Sequence, residues 1–356
     1  MYKVNSMIIM EYKISIIIPM FNREKTISRC LNSVLNQKWD GDIARDIEII
    51  VVDDCSTDGS TDIVNKYMEN NPNIKLFSTE TNSGYPGKPR NIGIDNSNSE
   101  YIMFLDSDDE YDENMCKTLF DEIANSNADL VCCNRYNVDE IDSKKSFAKY
   151  PQDTPIKDNK AFFDNETIFY LIDLYLWNKI FKSPILKDNS IYFKTDKLAE
   201  EDLFLYQYYL NCNSNCFIHL KDYFGYKRHE TDDSISQSYS LNDLMGAMGI
   251  ITECYEILKG KNLNFSLVFQ SRLSTIIFRT LQGSTLDESY EKLVDLFEKI
   301  NDFEKDIEFS FPLMIDIANK LILKKRYRLT IYYLKFLRKI KNFNFLIKFY
   351  RRFILR

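Results

Sequence analysis

The sequence of 356 residues is long enough to bury a sizeable core and predicts two domains. Its composition is that of a globular protein, with 44% hydrophobic and 28% charged residues and few Gly and Pro. Between Lys324 and Arg356 there are 12 Lys and Arg but no Asp or Glu, which leaves 34 basic and 53 acidic residues, a charge of −19, in the remainder. An acidic body with a basic tail argues against nucleic-acid binding.

Strands and helices are predicted to alternate over the first 133 residues. The apolar run from Lys13 to Ile18, which stops at Pro19, is typical of a central parallel strand. The other predicted strands are 47–52, 74–77, 101–105 and 129–133, and the predicted helices are 24–37, a segment ending near 70, a segment beginning near 91, and 113–125. Alternation at intervals of about 20–25 residues predicts an α/β fold with a parallel, doubly wound sheet.

The regular alternation ends near Asn134. Residues 135–165 are polar and rich in predicted loops, whereas 166–181 have a helical pattern that includes Trp177. A short strand-like piece, Ile191–Phe193, comes next, and from Asn242 onward apolar residues recur at helical spacing. The chain is therefore predicted to end in a helical region.

Carboxylates follow two of the predicted strands at the point where each strand ends. Asp53 and Asp54 come after strand 47–52, and Asp106, Asp108 and Asp109 come after strand 101–105. In a parallel sheet these strand ends share one edge, which is where ligands bind. Carboxylates at i and i+2 suit a divalent cation that also holds phosphate oxygens, although Asp-Ser-Asp alone more often marks an acidic turn. We interpret Asp109 as a cap or a partner of its neighbours rather than a ligand.

Two other nucleotide-binding classes lack their motifs. A dinucleotide-dependent dehydrogenase requires Gly-x-Gly-x-x-Gly directly after the first strand, where this sequence has Pro19-Met-Phe-Asn-Arg23. A nucleotidyltransferase ordinarily carries a Gly-rich, basic phosphate loop at the same place, and this segment is not one.

Three ordered segments carry a resemblance to a known family. They are Pro19-x-Phe-Asn22, Val51-Val-Asp-Asp-Cys-Ser-Thr-Asp-Gly59 and Phe104-Leu-Asp-Ser-Asp-Asp109. With them the sequence resembles the family 2 glycosyltransferases, which have a GT-A fold, over roughly residues 13–240. Within that family it looks most like the bacterial poly(ribitol-phosphate) wall teichoic acid N-acetylglucosaminyltransferases, through the second segment together with 80–84, 86–91 and 186–193.

The resemblance implies a nucleotide-sugar site at the predicted edge of the sheet. It places Pro19, Phe21 and Asp54 in a uridine pocket with Asp53 beside them, Asn82 and Arg90 on the nucleotide-sugar, and Asp106 at the diphosphate. Asp106 and Asp108 match the Asp-x-Asp motif, in which Mn²⁺ or Mg²⁺ bridges the donor diphosphate. Such a metal offsets the charge that develops on the leaving group, and the Arg90 guanidinium suits oxygens that are paired bidentately.

A third acidic cluster, Glu200-Glu201-Asp202, lies well downstream. By its position in the family, Asp202 resembles the catalytic base of inverting transferases, and Glu201 is the next candidate. The tripeptide alone is more typical of an acidic helix start. His229 is a weaker candidate that could reach the metal or the diphosphate, and Trp177 is either an acceptor-side aromatic or an ordinary packed one.

The resemblance and the composition together predict four regions. These are an N-terminal extension at 1–12, a GT-A catalytic domain at 13–240, a helical domain at 241–322 and a basic amphipathic tail at 323–356. In the tail, Leu329, Tyr332, Tyr333, Phe336, Leu337 and Ile340 are predicted to share one helical face. With cations on the other side, this pattern fits an anionic membrane surface. The alternative is an amphipathic helical pair that docks on the acidic body or mediates homo-oligomerisation.

The predicted function is an inverting, metal-dependent transfer of a sugar, GlcNAc or a related hexose, from a UDP-sugar to a glycan or teichoic-acid-type acceptor. The alternatives are an inactive nucleotide-sugar-binding scaffold and a capsular or exopolysaccharide transferase with a different hexose donor. No secretory signal and no apolar run of about 18 residues is found in the sequence. It therefore predicts a cytoplasmic protein with free thiols that meets the inner face of the plasma membrane if the tail binds there.

Overall fold

The computed structural model describes residues 11–139, 145–148, 156–157, 160–163, 175–213, 217–230, 240–261, 276, 290–302, 318, 320–322 and 324–339. The chain divides into two compact units. Unit 1 comprises Met1–Asn165, Asp173–Asp196 and Gln207–Glu230, and unit 2 comprises Glu166–Ile172, Lys197–Tyr206 and Thr231–Arg356.

Unit 1 is built on one mixed sheet. Its strands are β1 (Tyr12–Met20), β2 (Ile47–Asp53), β3 (Ile74–Ser78), β4 (Ser99–Phe104), β5 (Glu110–Tyr111), β6 (Leu130–Asp139), β7 (Lys145–Ala148), β8 (Ile156–Lys157), β9 (Lys160–Phe163), β10 (Lys179–Lys182) and β11 (Phe217–Glu230). The order is β3-β2-β1-β4-β10-β6-β11-β9-β8, with β5 on β11 and β7 on β6. The first four strands are mutually parallel, β10 runs antiparallel between β4 and β6, and β6 is parallel to β11.

Helices lie between the strands and, from residue 241 onward, after the last described strand. They are α1 (Ile27–Leu35), α2 (Ile43–Asp46), α3 (Ser60–Met68), α4 (Gly87–Asn96), α5 (Met115–Ala124), α6 (Ser183–Asp188), α7 (Glu200–Asn211), α8 (Leu241–Gly260), α9 (Tyr290–Asp302) and α10 (Tyr327–Lys339). Each predicted strand up to residue 133 is present. The predicted helices are present as well, although α4 begins at Gly87 rather than near residue 91.

Apolar residues explain why these segments pair where they do. Residues 14–20 of β1 and all of β2 are buried, as expected of central strands covered on both faces. In α1 the buried positions Ile27, Cys30, Leu31 and Val34 recur at helical spacing and pack on the same core. Because this core lies under the parallel strands, their carboxyl ends are held in fixed register, with Met20 of β1 beside Asp53 of β2.

Two sequence predictions in the middle of the chain are wrong. Residues 179–182 form strand β10 rather than the end of a helix 166–181, and the part before Tyr175 lies outside the described residues. Residues 191–193, predicted as strand-like, have no regular secondary structure. In the first case the hydrogen bonds offered by β4 and β6 on either side outweigh the local helical pattern.

Unit 2 is helical in its described part. Helix α8 begins with a capping box, in which Ser240 and Asp243 satisfy each other's backbone N–H groups. Buried residues along α8 and the buried face of α9 form its core. In α10 the buried residues are Tyr327, Thr330, Ile331 and Leu334, whereas Leu329 and Tyr332 are exposed by 55% and 72%. Leu329 and Tyr332, two members of the face predicted from the sequence, are therefore not part of this packed side; Phe336, Leu337 and Ile340 lie outside the described side chains.

Candidate active site

The loops after β1 and β2 are locked together by hydrogen bonds. The backbone N–H of Asn22 donates to Ser56 Oγ at 2.9 Å, and Thr57 N–H donates to Asn22 Oδ1 at 2.8 Å. The next residue, Arg23, donates its N–H to Ser60 Oγ at 2.6 Å. Asn22 adopts a left-handed φ of 50°, which Asn tolerates better than most residues. The two loops therefore form one rigid edge.

The two aspartates after β2 are buried and bonded to nearby loops. Asp54 accepts hydrogen bonds from Thr79 Oγ1 at 2.8 Å and from both the N–H and the hydroxyl of Ser83, the latter at 2.8 Å. Asp53 accepts from the N–H of Ser56 with both carboxylate oxygens at 3.1 Å. The backbone groups of Asp54 take part too, since its N–H donates to Met20 O at 2.7 Å. These two carboxylates therefore hold the surrounding loops in place at this edge of the sheet.

Other predicted nucleotide-sugar residues lie around this edge. Pro19 is buried in β1, and Phe21, the first residue beyond that strand, is 42% exposed. Asn82 Nδ2 donates to Asp54 O at 3.1 Å, which ties the loop after β3 to the loop after β2. An exposed aromatic ring beside a rigid polar edge can take the flat face of a base.

Arg90 and Asp106 form an ion pair at the end of β4. Arg90 is 2% exposed, and its Nη2 lies 3.0 Å from Asp106 Oδ1, while the Asp106 side chain is 32% exposed. A buried guanidinium needs such a partner because an unpaired charge in the interior is costly. The ion pair therefore fixes one oxygen of Asp106 and leaves the carboxylate open to solvent.

Asp108 lies in the same turn, with its side chain 24% exposed. Burial raises its pKa, and the like charge of Asp106 raises it further, whereas Arg23, whose Nη2 is 3.6 Å from Asp108 Oδ2, opposes the shift. Two carboxylates that repel one another at an accessible strand end fit a divalent cation. Within the described residues, no group of three or more His, Cys, Asp or Glu side chains is arranged to hold a metal. Two carboxylates plus substrate phosphates are nevertheless an ordinary ligand set for Mg²⁺.

Side chains at the start of helix α1 donate hydrogen bonds to backbone carbonyls of the turn that carries the two aspartates. Thr26 Oγ1 donates to Ser107 O at 2.9 Å, and Arg29 Nη2 donates to Asp108 O at 2.7 Å. Sequence reasoning missed Arg23, Thr26 and Arg29. Their signal was weak, because a Thr and two Arg at the start of a helix are also ordinary surface residues.

Asp109 is buried, and it holds β11 instead of facing the carboxylate pair. Tyr226 Oη donates to its Oδ2 at 2.7 Å, and the N–H of His229 donates to its Oδ1 at 2.7 Å. Burial raises the pKa of Asp109 well above its ordinary value, with Asp108 adding to the shift. The imidazole of His229 pairs with Glu110, Nε2 to Oε1 at 2.7 Å, and this hydrogen bond is the main reason why the pKa of Glu110 is lowered.

Trp177 is a packed aromatic, 4% exposed. Its ring stacks between Tyr226, at a centroid distance of 4.0 Å, and Tyr175, at 4.7 Å. The Arg135 guanidinium carbon lies 4.4 Å from the Tyr175 centroid. Tyr175 is 37% exposed, so this column has one open end.

Asp202 belongs to unit 2 and lies in the first turn of α7 with Glu200 and Glu201. It is 5% exposed, and its N–H donates to Ala199 O at 3.0 Å. Ala199 has a left-handed φ of 66°, so the chain turns sharply into the helix. The positive end of the helix dipole stabilises a carboxylate in this first turn.

Comparisons with known proteins define the class. Residues 15–179 match the glycosyl transferase family 2. The poly(ribitol-phosphate) β-N-acetylglucosaminyltransferase TarP of Staphylococcus aureus (strain N315) is 30% identical over 304 residues, which cover 83% of this chain and 88% of TarP. The corresponding enzyme TarS of S. aureus (strain Mu50 / ATCC 700699) is 34% identical over 242 residues, which cover 67% of this chain. This chain spans only 40% of the length of TarS.

A solved structure extends the likeness to most of the fold. The crystal structure of S. aureus TarS 1–349 in complex with UDP-GlcNAc has a TM-score of 0.66 and 26% identity, covering 92% of each chain. The fold is thus of the GT-A class, as predicted. The protein belongs to the family 2 glycosyltransferases. No helix in the described ranges is both long and apolar enough to cross a membrane.

Proposed function

We propose that this protein is an inverting glycosyltransferase that moves a sugar, GlcNAc or a related hexose, from a UDP-sugar to a hydroxyl of a bacterial cell-surface polymer of teichoic-acid type. The observation that carries the proposal is the Arg90–Asp106 ion pair beside the partly exposed Asp108, at the edge where β1, β2 and β4 end. The activities for which TarP and TarS are named, and the UDP-GlcNAc in the TarS crystal structure, support this choice of donor and acceptor.

The donor would lie along this edge. Phe21 would offer apolar surface to the uracil, with the buried Pro19 at the same edge, and Asp53, Asp54 and Asn82 hold the surrounding loops in shape. Asp106 and Asp108 would hold Mn²⁺ or Mg²⁺, which neutralises the charge that grows on the leaving diphosphate when the metal is bound. Arg90 orients Asp106 and adds a positive charge on the same side.

Asp202 would act as the general base. It would remove the proton from the acceptor hydroxyl as the hydroxyl oxygen attacks the anomeric carbon, the bond to the diphosphate breaks and the configuration inverts. Asp202 lies in the first turn of α7, where the positive end of the helix dipole favours negative charge, and the ionised carboxylate is the form that accepts a proton. Glu201, its neighbour in the same turn, is the second candidate.

The domain boundaries predicted from the sequence remain part of this proposal. Residues 13–240 would supply the catalytic domain, 241–322 a helical domain and 323–356 a basic tail. The tail would bring the protein to an anionic membrane surface, where a growing lipid-linked polymer would be found. The exposed Leu329 and Tyr332, next to the exposed Arg328, support that role, and a homo-oligomer through the tail is the alternative.

The proposal is tested with a panel of UDP-sugars in Mn²⁺ and in EDTA. Turnover is measured as UDP release with a poly(ribitol-phosphate) acceptor and without it. We expect metal-dependent release with one donor and acceptor stimulation of that release. Asp108→Asn, which keeps the shape of the side chain, is expected to abolish metal-dependent UDP release. If no UDP-sugar is turned over, or if Asp108→Asn keeps wild-type rates, the proposed chemistry is wrong.

A further inference from the structure

Phe193 packs against both halves of the frame that holds the Arg90–Asp106 ion pair. Its ring is 4% exposed, and the guanidinium carbon of Arg90 lies over it at 5.5 Å from the centroid. The same ring meets Phe104 edge to face at 5.6 Å and 85°. Phe104 is the last residue of β4, two residues before Asp106. Phe193 therefore supports the cation on one side and the strand that carries the carboxylate on another.

Nothing in the local backbone explains why Phe193 lies there, because residues 191–194 are neither helix nor strand. The side-chain amide of Asn91 holds it instead. Asn91 Nδ2 donates to Phe193 O at 2.9 Å, and Phe193 N–H donates to Asn91 Oδ1 at 2.8 Å. One side chain thus satisfies both backbone groups, as a neighbouring strand would.

The absence of a side chain at Gly87 allows α4 to approach this segment. A Cβ atom at Gly87 would lie 2.2 Å from Lys194 O, which is closer than any real contact. Gly87, Arg90 and Asn91 all lie in the first turns of α4. The start of α4 and the 191–194 segment therefore meet as one packed unit around the Arg90 guanidinium.

A buried guanidinium over an aromatic face gains from a cation–π interaction, and desolvation strengthens that interaction. The ring lies against the same guanidinium whose Nη2 is 3.0 Å from Asp106 Oδ1. Without the ring, the Arg90 side chain would gain rotamers, and Asp106 would lose a fixed orientation. The site formed by Asp106 and Asp108 would then bind its ligand more weakly.

We propose that Phe193 and Asn91 are positioning residues for the Arg90–Asp106 ion pair, and that through it they set the affinity of the metal–diphosphate site. Asn91 fixes Phe193, Phe193 supports Arg90, and Arg90 orients Asp106. This inference rests on the proposed function, because it names residues that prepare the same donor site.

The test is UDP binding in Mn²⁺, measured by calorimetry on Phe193→Leu, together with KM and kcat for the donor. We expect binding to weaken by about 3- to 30-fold, the range that a partly desolvated cation–π contact supports, with KM rising more than kcat falls. Phe181→Leu is the matched control for losing a buried ring, since Phe181 also packs on Phe104. Phe181→Leu is expected to lower the free energy of unfolding and to leave the affinity for UDP within about twofold of wild type.

Asn91→Asp provides a milder second variant in case Phe193→Leu fails to fold. It keeps an acceptor for Phe193 N–H but sets a carboxylate oxygen against Phe193 O, so it should weaken UDP binding in the same direction. Asn96→Ala is its control, because the side chain of Asn96, at the exposed end of α4, hydrogen-bonds locally to Ile92 O and to no other group among the described residues. In an Arg90→Gln background, Phe193→Leu should have no further effect on UDP binding.

The outcomes separate the inference from the proposed function. Wild-type protein that binds no UDP overturns the proposed function and this inference with it. If wild-type protein binds UDP in Mn²⁺, but folded Phe193→Leu and Asn91→Asp bind it equally well, only the positioning role is overturned. Additive effects of Phe193→Leu and Arg90→Gln on UDP binding also overturn it, since the two residues would then act independently.

Discussion

Tyr226 donates a hydrogen bond from its hydroxyl to Asp109 Oδ2 over 2.7 Å, and this contact joins β11 to the turn after β4. Tyr226 is fully buried and Asp109 is 4% exposed, so water cannot replace the bond. The turn that it secures carries Asp106 and Asp108. The carboxylate pair is therefore positioned by a contact between residues 117 positions apart in the sequence.

Tyr226→Phe removes the donor and leaves a buried carboxylate oxygen short of one hydrogen bond. We expect the free energy of unfolding to fall by about 1–3 kcal/mol, which is the usual cost of an unsatisfied buried polar group. Chemical denaturation measures this loss. Tyr223→Phe is the control, because Tyr223 Oη lies 3.4 Å from Asp112 Oδ1 in a half-buried position, and its loss should cost much less. Equal losses in the two variants would contradict the prediction.

Asp202→Asn keeps the size of the side chain and removes its ability to accept a proton. We expect kcat to fall by about 10²- to 10⁴-fold, the range for a positioned general base. UDP binding in Mn²⁺ should stay within about threefold of wild type. Steady-state kinetics and calorimetry give both numbers. Glu201→Gln is the comparison, and a larger kcat loss there than in Asp202→Asn would move the role of base to Glu201.

Gly93 lies in α4 where the helix touches β1. A Cβ atom there would come within 2.3 Å of Ile17 Cγ2, so Gly93→Ala forces the helix away from the sheet. We expect a loss of about 1–3 kcal/mol in the free energy of unfolding, as for other overpacked cores. Gly246→Ala in α8 should show no such loss, because its nearest neighbour would be 3.7 Å away and Ala favours a helix. Denaturant titration of both variants measures whether the free energy of unfolding falls for Gly93→Ala and does not fall for Gly246→Ala.

The tail is tested with vesicles of anionic and of neutral lipid. If it binds membrane, wild-type protein should co-sediment with anionic vesicles, and added salt should release it because polybasic attraction is screened. Leu329→Gln with Tyr332→Gln should reduce binding several-fold, since both side chains are exposed. Ile331→Val, at a buried position of the same helix, is the control. A protein lacking 324–356 that still binds anionic vesicles would rule out the tail as the anchor.

Much of the fold followed from local pattern. The largely apolar runs of β1 and β2 and the helical spacing of Ile27, Leu31 and Val34 reflect burial, so the sequence displays them directly. Strand β10 was missed for the opposite reason. Its short apolar stretch suits a helix as well as a strand, and only the free edges of β4 and β6 decide the matter.

The sequence by itself determined that carboxylates stand at the ends of β2 and β4, because the apolar runs that mark these two strands lead directly into Asp residues. It also determined the family, through an ordered set of short motifs. Only the tertiary structure decided what surrounds those carboxylates. Arg29 reaches Asp108 O across 79 residues and Asn91 reaches Phe193 across 102, through helices and loops that pack on the sheet. Such contacts depend on how whole elements meet, and no local periodicity encodes that.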